Sequence, residues 1–95
     1  MVHDIRIVKV KGNSMIPQFA DGDVVLVEKK DTYNVGDVIV FWFRDCMWVL
    51  HRIISIDEGT VTCRGDNAKS ESIIEVIEAK DILGKVVRKC ETKVL

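Results

Sequence analysis

A serine near the start of the chain has neighbours that suit it to nucleophilic chemistry. Ser14 is preceded by Gly12 and Asn13 and followed by Met15 and by Pro17, the only proline of the sequence. Such a bend can expose the hydroxyl and leave backbone N–H groups unpaired and pointing together, as an oxyanion site requires. A Gly-x-Ser turn is also common in ordinary loops, so the motif alone marks Ser14 only as a candidate nucleophile.

A candidate base lies in the segment Val49–Ile53. If this segment is a strand, His51 shares a face with Val49 and Ile53, and its ring lies on a largely apolar surface. A histidine in that setting is either a hydrogen-bonded structural residue or a base that stays neutral near pH 7, as activation of a hydroxyl requires. Both interpretations are open from these residues alone.

A candidate third group is Asp66, in the turn-like run Gly65-Asp66-Asn67. Aspartate is common in polar turns because its side chain bonds the nearby backbone. The functional interpretation is a carboxylate that orients the histidine and stabilises its charged form.

Composition excludes several other classes of function. The chain has three cysteines without a Cys-x-x-Cys pair, which favours buried free thiols over a zinc site or a disulfide framework. It has no glycine-rich phosphate loop and no dinucleotide fingerprint, so we predict no cofactor and no metal. A net charge of -1 gives no basic face for nucleic acid, which is therefore not an expected partner.

The hydrophobic pattern has a period of two, which predicts an all-β domain of about six to eight short strands. The 95 residues are enough for a single domain, residues 1–95. The segment Ala68–Asp81 fits either a strand or a helical turn, and Ser14–Ala20 fits a helical turn or an irregular loop. Strands are predicted at Ile5–Val10, Val24–Glu28, Val38–Phe43, Met47–Asp57, Thr60–Arg64 and Ile82–Lys89.

Four aromatic residues cluster on one predicted hairpin, namely Phe41, Trp42, Phe43 and Trp48. They are core residues by default. Alternatively, one side of the cluster is exposed as an apolar groove that receives a peptide.

Taken in order, short blocks of the sequence resemble the type I signal peptidases and the related LexA-like self-cleaving repressors. The resemblance covers about residues 8 to 88, and it implies a compact catalytic β-domain, a distorted barrel of short strands. The blocks are Val10-x-Gly12-x-Ser14-Met15-x-Pro17, Gly22–Val27, Gly36–Phe41, His51–Ile54, Gly65–Asn67 and Ile82–Val87.

The resemblance also implies an activity. In the membrane-anchored bacterial enzymes and in the repressors, a lysine is the base, whereas His51 places this chain with the endoplasmic-reticulum, archaeal and sporulation enzymes. The implied function is a serine endopeptidase that cleaves a peptide or precursor protein through an acyl-enzyme. Ser14, His51 and Asp66 are then the catalytic residues.

The sequence departs from the family pattern near the expected oxyanion and carboxylate positions. Gly12 stands where many anchored enzymes have a serine, so backbone N–H groups are the expected oxyanion donors. Gly12, Asn13 and Met15 are accordingly the expected oxyanion and substrate-binding residues. A second aspartate often follows the Gly-Asp-Asn block, but residues 70–72 read Ser-Glu-Ser, and a role for Glu71 is a guess.

The family's membrane anchor normally precedes the serine, and Met1 leaves no room for it. We therefore expect either a cytoplasmic form or a membrane-peripheral one, close to the membrane through a removed anchor or a partner. No stretch approaches the ~20 apolar residues of a spanning helix. No oligomeric state is predicted.

Two other functions are open. One is a non-catalytic peptide-binding module with the same fold. The other is a self-cleaving regulatory domain like that of the repressors, which is opposed by His51 in place of lysine and by the lack of an Ala-Gly cleavage segment.

Overall fold

The computed structural model describes residues 4–69 and 73–91, and within these ranges the chain forms strands and one short 3₁₀ helix, Ala79–Asp81. This confirms the prediction of an all-β domain with at most short helical turns. The uncertain segment Ala68–Asp81 contains a strand followed by that helix. The strands are β1 Ile5–Lys9, β2 Val24–Glu28, β3 Val38–Phe43, β4 Met47–Asp57, β5 Thr60–Arg64, β6 Ile74–Glu78 and β7 Ile82–Cys90.

The strands form one seven-stranded sheet in the order β1-β2-β7-β3-β4-β5-β6. Every neighbouring pair is antiparallel. Although β1 and β6 are the two ends of this order, Lys9 of β1 and Glu75 of β6 line the same cavity. The sheet therefore curls so that its two edges approach one groove, which agrees with the distorted barrel that the family resemblance implies.

Tight turns set the register of the central hairpins. Arg44 and Asp45 both have positive φ, and the N–H of Cys46 donates to the carbonyl of Phe43 at 3.0 Å. Positive φ at both central residues is the geometry of a type I′ turn, which matches the right-handed twist of paired strands. This turn holds β4 in register with β3, and His51 pairs with Ile39 as a result.

The core covers both faces of β3. Because alternate side chains of a strand point to opposite faces, Ile39 and Phe41 enter one hydrophobic cluster and Val40 enters the other. Ile53 of β4 packs in the first cluster, and the partly buried Leu50 packs against the second. β4 is therefore held by core packing on both faces in the segment that carries His51.

The cysteines agree only in part with the expectation of buried free thiols. All three are free, but only Cys63 is buried, while Cys46 is exposed and Cys90 is partly exposed. The expectation is wrong for Cys46 because this residue belongs to the β3–β4 turn, which projects beyond the core.

No helix within residues 4–69 and 73–91 has the length and apolar character needed to cross a membrane.

Candidate active site

Ser14 and His51 meet at the end of the curled sheet. Ser14 lies on the loop between β1 and β2, and His51 lies on β4. The distance from Ser14 Oγ to His51 Nε2 is 2.9 Å, within hydrogen-bond range. The fold thus brings together the two residues that the sequence marks as candidate nucleophile and base.

The shape of the Ser14 loop has local causes. Gly12 has a φ of +83°, and its N–H donates to Asp21 Oδ1 at 2.6 Å. Met15 is 1% exposed and anchors the loop in the core, so its side chain does not contact solvent. The N–H of Phe19 donates to the carbonyl of Met15 at 3.0 Å, which closes one helical turn after the serine.

Two backbone amides in this loop are available to an incoming oxyanion. In the part of the chain that the structure describes, the N–H groups of Asn13 and Ser14 donate to no acceptor. Unpaired N–H groups beside a nucleophile are suited to stabilise the negative charge that develops on an attacked carbonyl oxygen. The assignment of backbone N–H groups, in place of a serine hydroxyl at position 12, to the oxyanion site stays a prediction.

Glu75 is the carboxylate that contacts the histidine. Its Oε1 lies 2.7 Å from His51 Nδ1, and the residue is 3% exposed. A carboxylate accepts a hydrogen bond from Nδ1–H and so leaves Nε2 free to accept the proton of a hydroxyl. Ser14, His51 and Glu75 form a continuous chain of hydrogen-bond contacts, and with the Nδ1–H tautomer of His51 this chain has the polarity of a Ser-His-carboxylate triad.

Glu75 is not among the site residues predicted from the sequence. In β6, Glu75 and Ile77 are buried, whereas Ile74, Val76 and Glu78 are exposed. The signal that could have found it is the spacing of two between Glu75 and Ile77, which places the acidic residue on the same strand face as a buried isoleucine. Apolar residues on both faces of this strand conceal which face is turned to the core.

Asp66 has a different partner from the one that the family resemblance implies. Its carboxylate binds Arg52 in a bidentate pair, with Nε–Oδ1 at 2.8 Å and Nη2–Oδ2 at 2.7 Å. The hydrogen bond to Asp66 raises the pKa of the Arg52 guanidinium above its ordinary value. Arg52 Nη1 also donates to the carbonyl of Gly36 at 2.6 Å. This geometry fits a role for Asp66 in bracing the site through Arg52, and it gives Asp66 no contact with His51.

The residues on either side of Asp66 hold the Ser14 loop directly. The N–H of Asn67 donates to the carbonyl of Ser14 at 2.9 Å, and its Nδ2 donates to the carbonyl of Asn13 at 2.8 Å. At Gly65, an added Cβ would lie 2.6 Å from the Ser14 carbonyl oxygen and 3.2 Å from His51 Nε2. Only glycine allows the two loops to approach this closely.

Gly65→Ala should therefore displace the Ser14 loop and lower kcat for any reaction of the Ser14 hydroxyl about 100-fold, since a displacement near 1 Å can have an effect of that size. Steady-state kinetics and thermal unfolding are the measurements. Gly59→Ala is the control, because Gly59 has a φ of +84° in the remote β4–β5 turn. This control should lower the unfolding temperature without lowering kcat. An active Gly65→Ala protein would contradict the close packing described here.

Cys63 lies beneath the site and does not compete with Ser14. Burial, with a smaller contribution from the charge of Glu75, raises the pKa of the Cys63 thiol to about 12. A thiol with that pKa stays protonated near neutral pH and is a poor nucleophile.

A groove with a volume of about 740 Å³ contains the Ser14–His51 pair. Trp48, which is 56% exposed, forms part of one wall, and its ring lies 4.8 Å from that of Trp42. The aromatic cluster is thus divided between the core, where Phe41 is fully buried, and a partly exposed apolar surface. The groove is lined chiefly by residues 8–11, Ser14, Val40, residues 46–51 and Glu75.

Within the described ranges, no group of three or more histidine, cysteine, aspartate or glutamate side chains is arranged to hold a metal ion. Glu71, for which the sequence suggests no defined role, lies outside the described residues.

Comparison with known proteins gives consistent matches. Residues 2–87 match the family described as Peptidase S24-like. The LexA repressor of Thermotoga petrophila is 37% identical over 86 residues, which cover 90% of this chain and 43% of that repressor. The LexA repressor of Thermotoga sp. strain RQ2 is 36% identical over the same share of each protein. The chain therefore spans less than half the length of these relatives.

Proposed function

Because the chain belongs to the Peptidase S24-like family, we propose that it is a serine endopeptidase that cleaves a peptide or precursor protein. Ser14 is the nucleophile and His51 is the general base. The main support is the contact of 2.9 Å between Ser14 Oγ and His51 Nε2, backed by the contact of 2.7 Å between His51 Nδ1 and Glu75. A proton transfer within one hydrogen bond is what activation of a serine requires.

In the first half of the reaction, Ser14 Oγ attacks the carbonyl carbon of the substrate and His51 Nε2 takes the hydroxyl proton. The N–H groups of Asn13 and Ser14 stabilise the tetrahedral oxyanion. Removing one such donor typically costs about 3 kcal/mol. The C–N bond then breaks, the amine leaves with the proton from His51, and an acyl-enzyme on Ser14 is left.

In the second half, His51 takes a proton from water while the water oxygen attacks the acyl carbon. The ester bond breaks, the acid is released, and Ser14 regains its proton. In both halves the buried carboxylate of Glu75 holds the Nδ1–H tautomer and stabilises the imidazolium that forms. Asp66 acts on the site through Arg52 and the neighbouring loop.

The edge strand β1 is suited to bind the substrate as an added strand. Val10 N–H donates to the carbonyl of Asp23, and its own carbonyl accepts from Gly22, so its backbone groups point toward the β2 side. Backbone groups alternate in direction along a strand, so those of Ile7 and Lys9 point to the free edge. An extended peptide can pair with this edge and reach Ser14.

A fluorophosphonate probe tests the nucleophile directly, because an activated serine hydroxyl displaces its fluoride and forms a phosphonate ester. We expect a single adduct on Ser14 and none on Ser55, an exposed serine of β4 that serves as an internal control. His51→Ala should abolish the adduct, because the hydroxyl then has no base. Intact-mass and peptide-mapping spectra measure both results. Equal labelling of Ser14 and Ser55 would contradict an activated serine.

The match to two repressors favours one second candidate, a regulatory domain that cleaves its own chain. The chain covers only 43% of each relative, so such a domain would work within a larger protein. Self-cleavage in one molecule is first-order and independent of protein concentration. Loss of intact mass at the same rate across a dilution series would favour this candidate, whereas cleavage of added peptides would favour the endopeptidase.

A further inference from the structure

Cationic side chains surround the opening of the groove. Lys9 and Lys11 line it from the β1 side, and Arg44 lines it from the β3–β4 turn. Glu75 is the one carboxylate in the described lining, but its side chain is only 4% exposed and it bonds His51. An entering peptide therefore meets positive charge, although the whole chain has a net charge of -1.

Lys9 and Lys11 differ from other lysines of the sheet in the charges that surround them. In the described part of the chain neither lysine forms an ion pair, whereas Lys85 pairs with Asp37 and Lys89 with Asp23. The carboxylate of Asp21, on the same loop as Lys11, accepts a hydrogen bond from the Gly12 amide. The two lysines are thus available to a partner from outside the chain.

Lys9 and Lys11 alternate along the chain with Val8 and Val10, which form part of the apolar floor of the groove. Val10 is buried and Val8 packs against the same hydrophobic cluster, so these two side chains point inward. Lys9 lies between them and is exposed, as is Lys11 after the strand. A strand that pairs with β1 follows the same alternation, so every second side chain meets the apolar floor and the others lie beside the lysines.

Resting on the function proposed above, we propose that the substrate segment beside β1 alternates apolar side chains with acidic ones. The apolar residues cover Val8 and Val10, and the acidic residues pair with Lys9 and Lys11. Opposite charges across two strands attract, and for two exposed pairs we expect an effect of about threefold to tenfold on affinity. Because these charge pairs form equally in the bound substrate and in the transition state, they lower KM and leave kcat unchanged.

Peptide binding to the Ser14→Ala protein tests this preference without cleavage. The probes are fluorescein-labelled decapeptides with alanine or valine at alternate positions and glutamate, glutamine or lysine between them. By fluorescence anisotropy, the glutamate peptide should bind about threefold to tenfold more tightly than the glutamine peptide, and the lysine peptide most weakly. The difference should vanish in about 1 M salt, where the screening length is about 3 Å.

Charge reversal identifies the residues responsible. Lys9→Glu and Lys11→Glu, each in the Ser14→Ala background, should lower the preference for glutamate and improve binding of the lysine peptide. Lys29→Glu is the matched control, because Lys29 is exposed and does not line the groove. It should leave the order of the three peptides unchanged.

The outcomes separate this preference from the proposed activity. Equal dissociation constants for the glutamate and glutamine peptides, or no binding of either, overturn the acidic preference even if the wild-type protein cleaves other peptides. The preference is supported if the protein binds the glutamate peptide selectively and if Lys9→Glu reverses this selectivity. If the wild-type protein then fails to cleave that peptide, the endopeptidase proposal fails and the recognition surface stands.

Discussion

Ser14→Ala should abolish peptide cleavage, with a loss in kcat on the order of 10⁴-fold or more, because no other group can form the acyl-enzyme. The folded structure should be unaffected. Among the residues that the structure describes, the hydroxyl bonds only His51, and Met15 rather than Ser14 anchors the loop in the core. Mass spectrometry of a peptide mixture incubated with each protein measures the effect, and thermal unfolding checks the fold.

Ser55→Ala is the matched control for this substitution. Ser55 is an exposed residue of β4, the strand that also carries His51, and it does not line the groove. This variant should cleave at the wild-type rate. If Ser14→Ala retained wild-type activity with the same cleavage sites, the nucleophile would have to be another residue.

Glu75→Gln should lower kcat by about 10³-fold to 10⁴-fold while changing KM little. Glutamine has nearly the same shape, but it cannot supply the negative charge that stabilises the imidazolium. Its amide can also donate to Nδ1 and so favour the wrong tautomer of His51. In a Ser-His-Asp triad, the corresponding change of the aspartate to asparagine lowers kcat by about 10⁴-fold. Kinetics give the size of the loss, and ¹⁵N NMR of the imidazole reports the tautomer. The spectrum is simple because the chain has two histidines.

Asp66→Asn is the informative comparison for Glu75→Gln. It weakens the bidentate pair with Arg52 but removes no contact with His51. We expect a loss of about tenfold or less in kcat and an unchanged His51 tautomer, since only the bracing of the loop is altered. A larger loss for Asp66→Asn than for Glu75→Gln would make Asp66 the orienting carboxylate.

Much of the fold was predictable because it depends on local pattern. Alternating apolar residues and turn dipeptides identify β2, β3, β4 and β5 with the bounds found in the structure. Arg44-Asp45 and Glu58-Gly59 lie in the gaps between the predicted strands, and both have the positive φ values of tight hairpins. These features follow from residues that are neighbours in sequence, so a single sequence contains enough information.

The partner of His51 was not predictable in the same way. The alternation in β4 gives the direction of the His51 side chain but does not say which later strand lies opposite. Glu75 reaches His51 only because β6 pairs with β5 in a register that aligns Glu75 with Cys63 and Ile53. That register is set by long-range packing. The residue that the family resemblance favoured, Asp66, is instead held by Arg52, the immediate neighbour of His51.

The position of Glu75 on β6 places one residue of the proposed catalytic chain on an edge strand of the sheet. β6 has one strand neighbour, β5, and its outward side chains Ile74 and Val76 are exposed. Edge elements open at lower free energy than the global unfolding transition. Mild heating that frays β6 would remove Ile77 from its hydrophobic cluster and leave His51 without its carboxylate, while the central strands stay paired. Loss of turnover would then come before the loss of the fold, and it would be reversible on cooling.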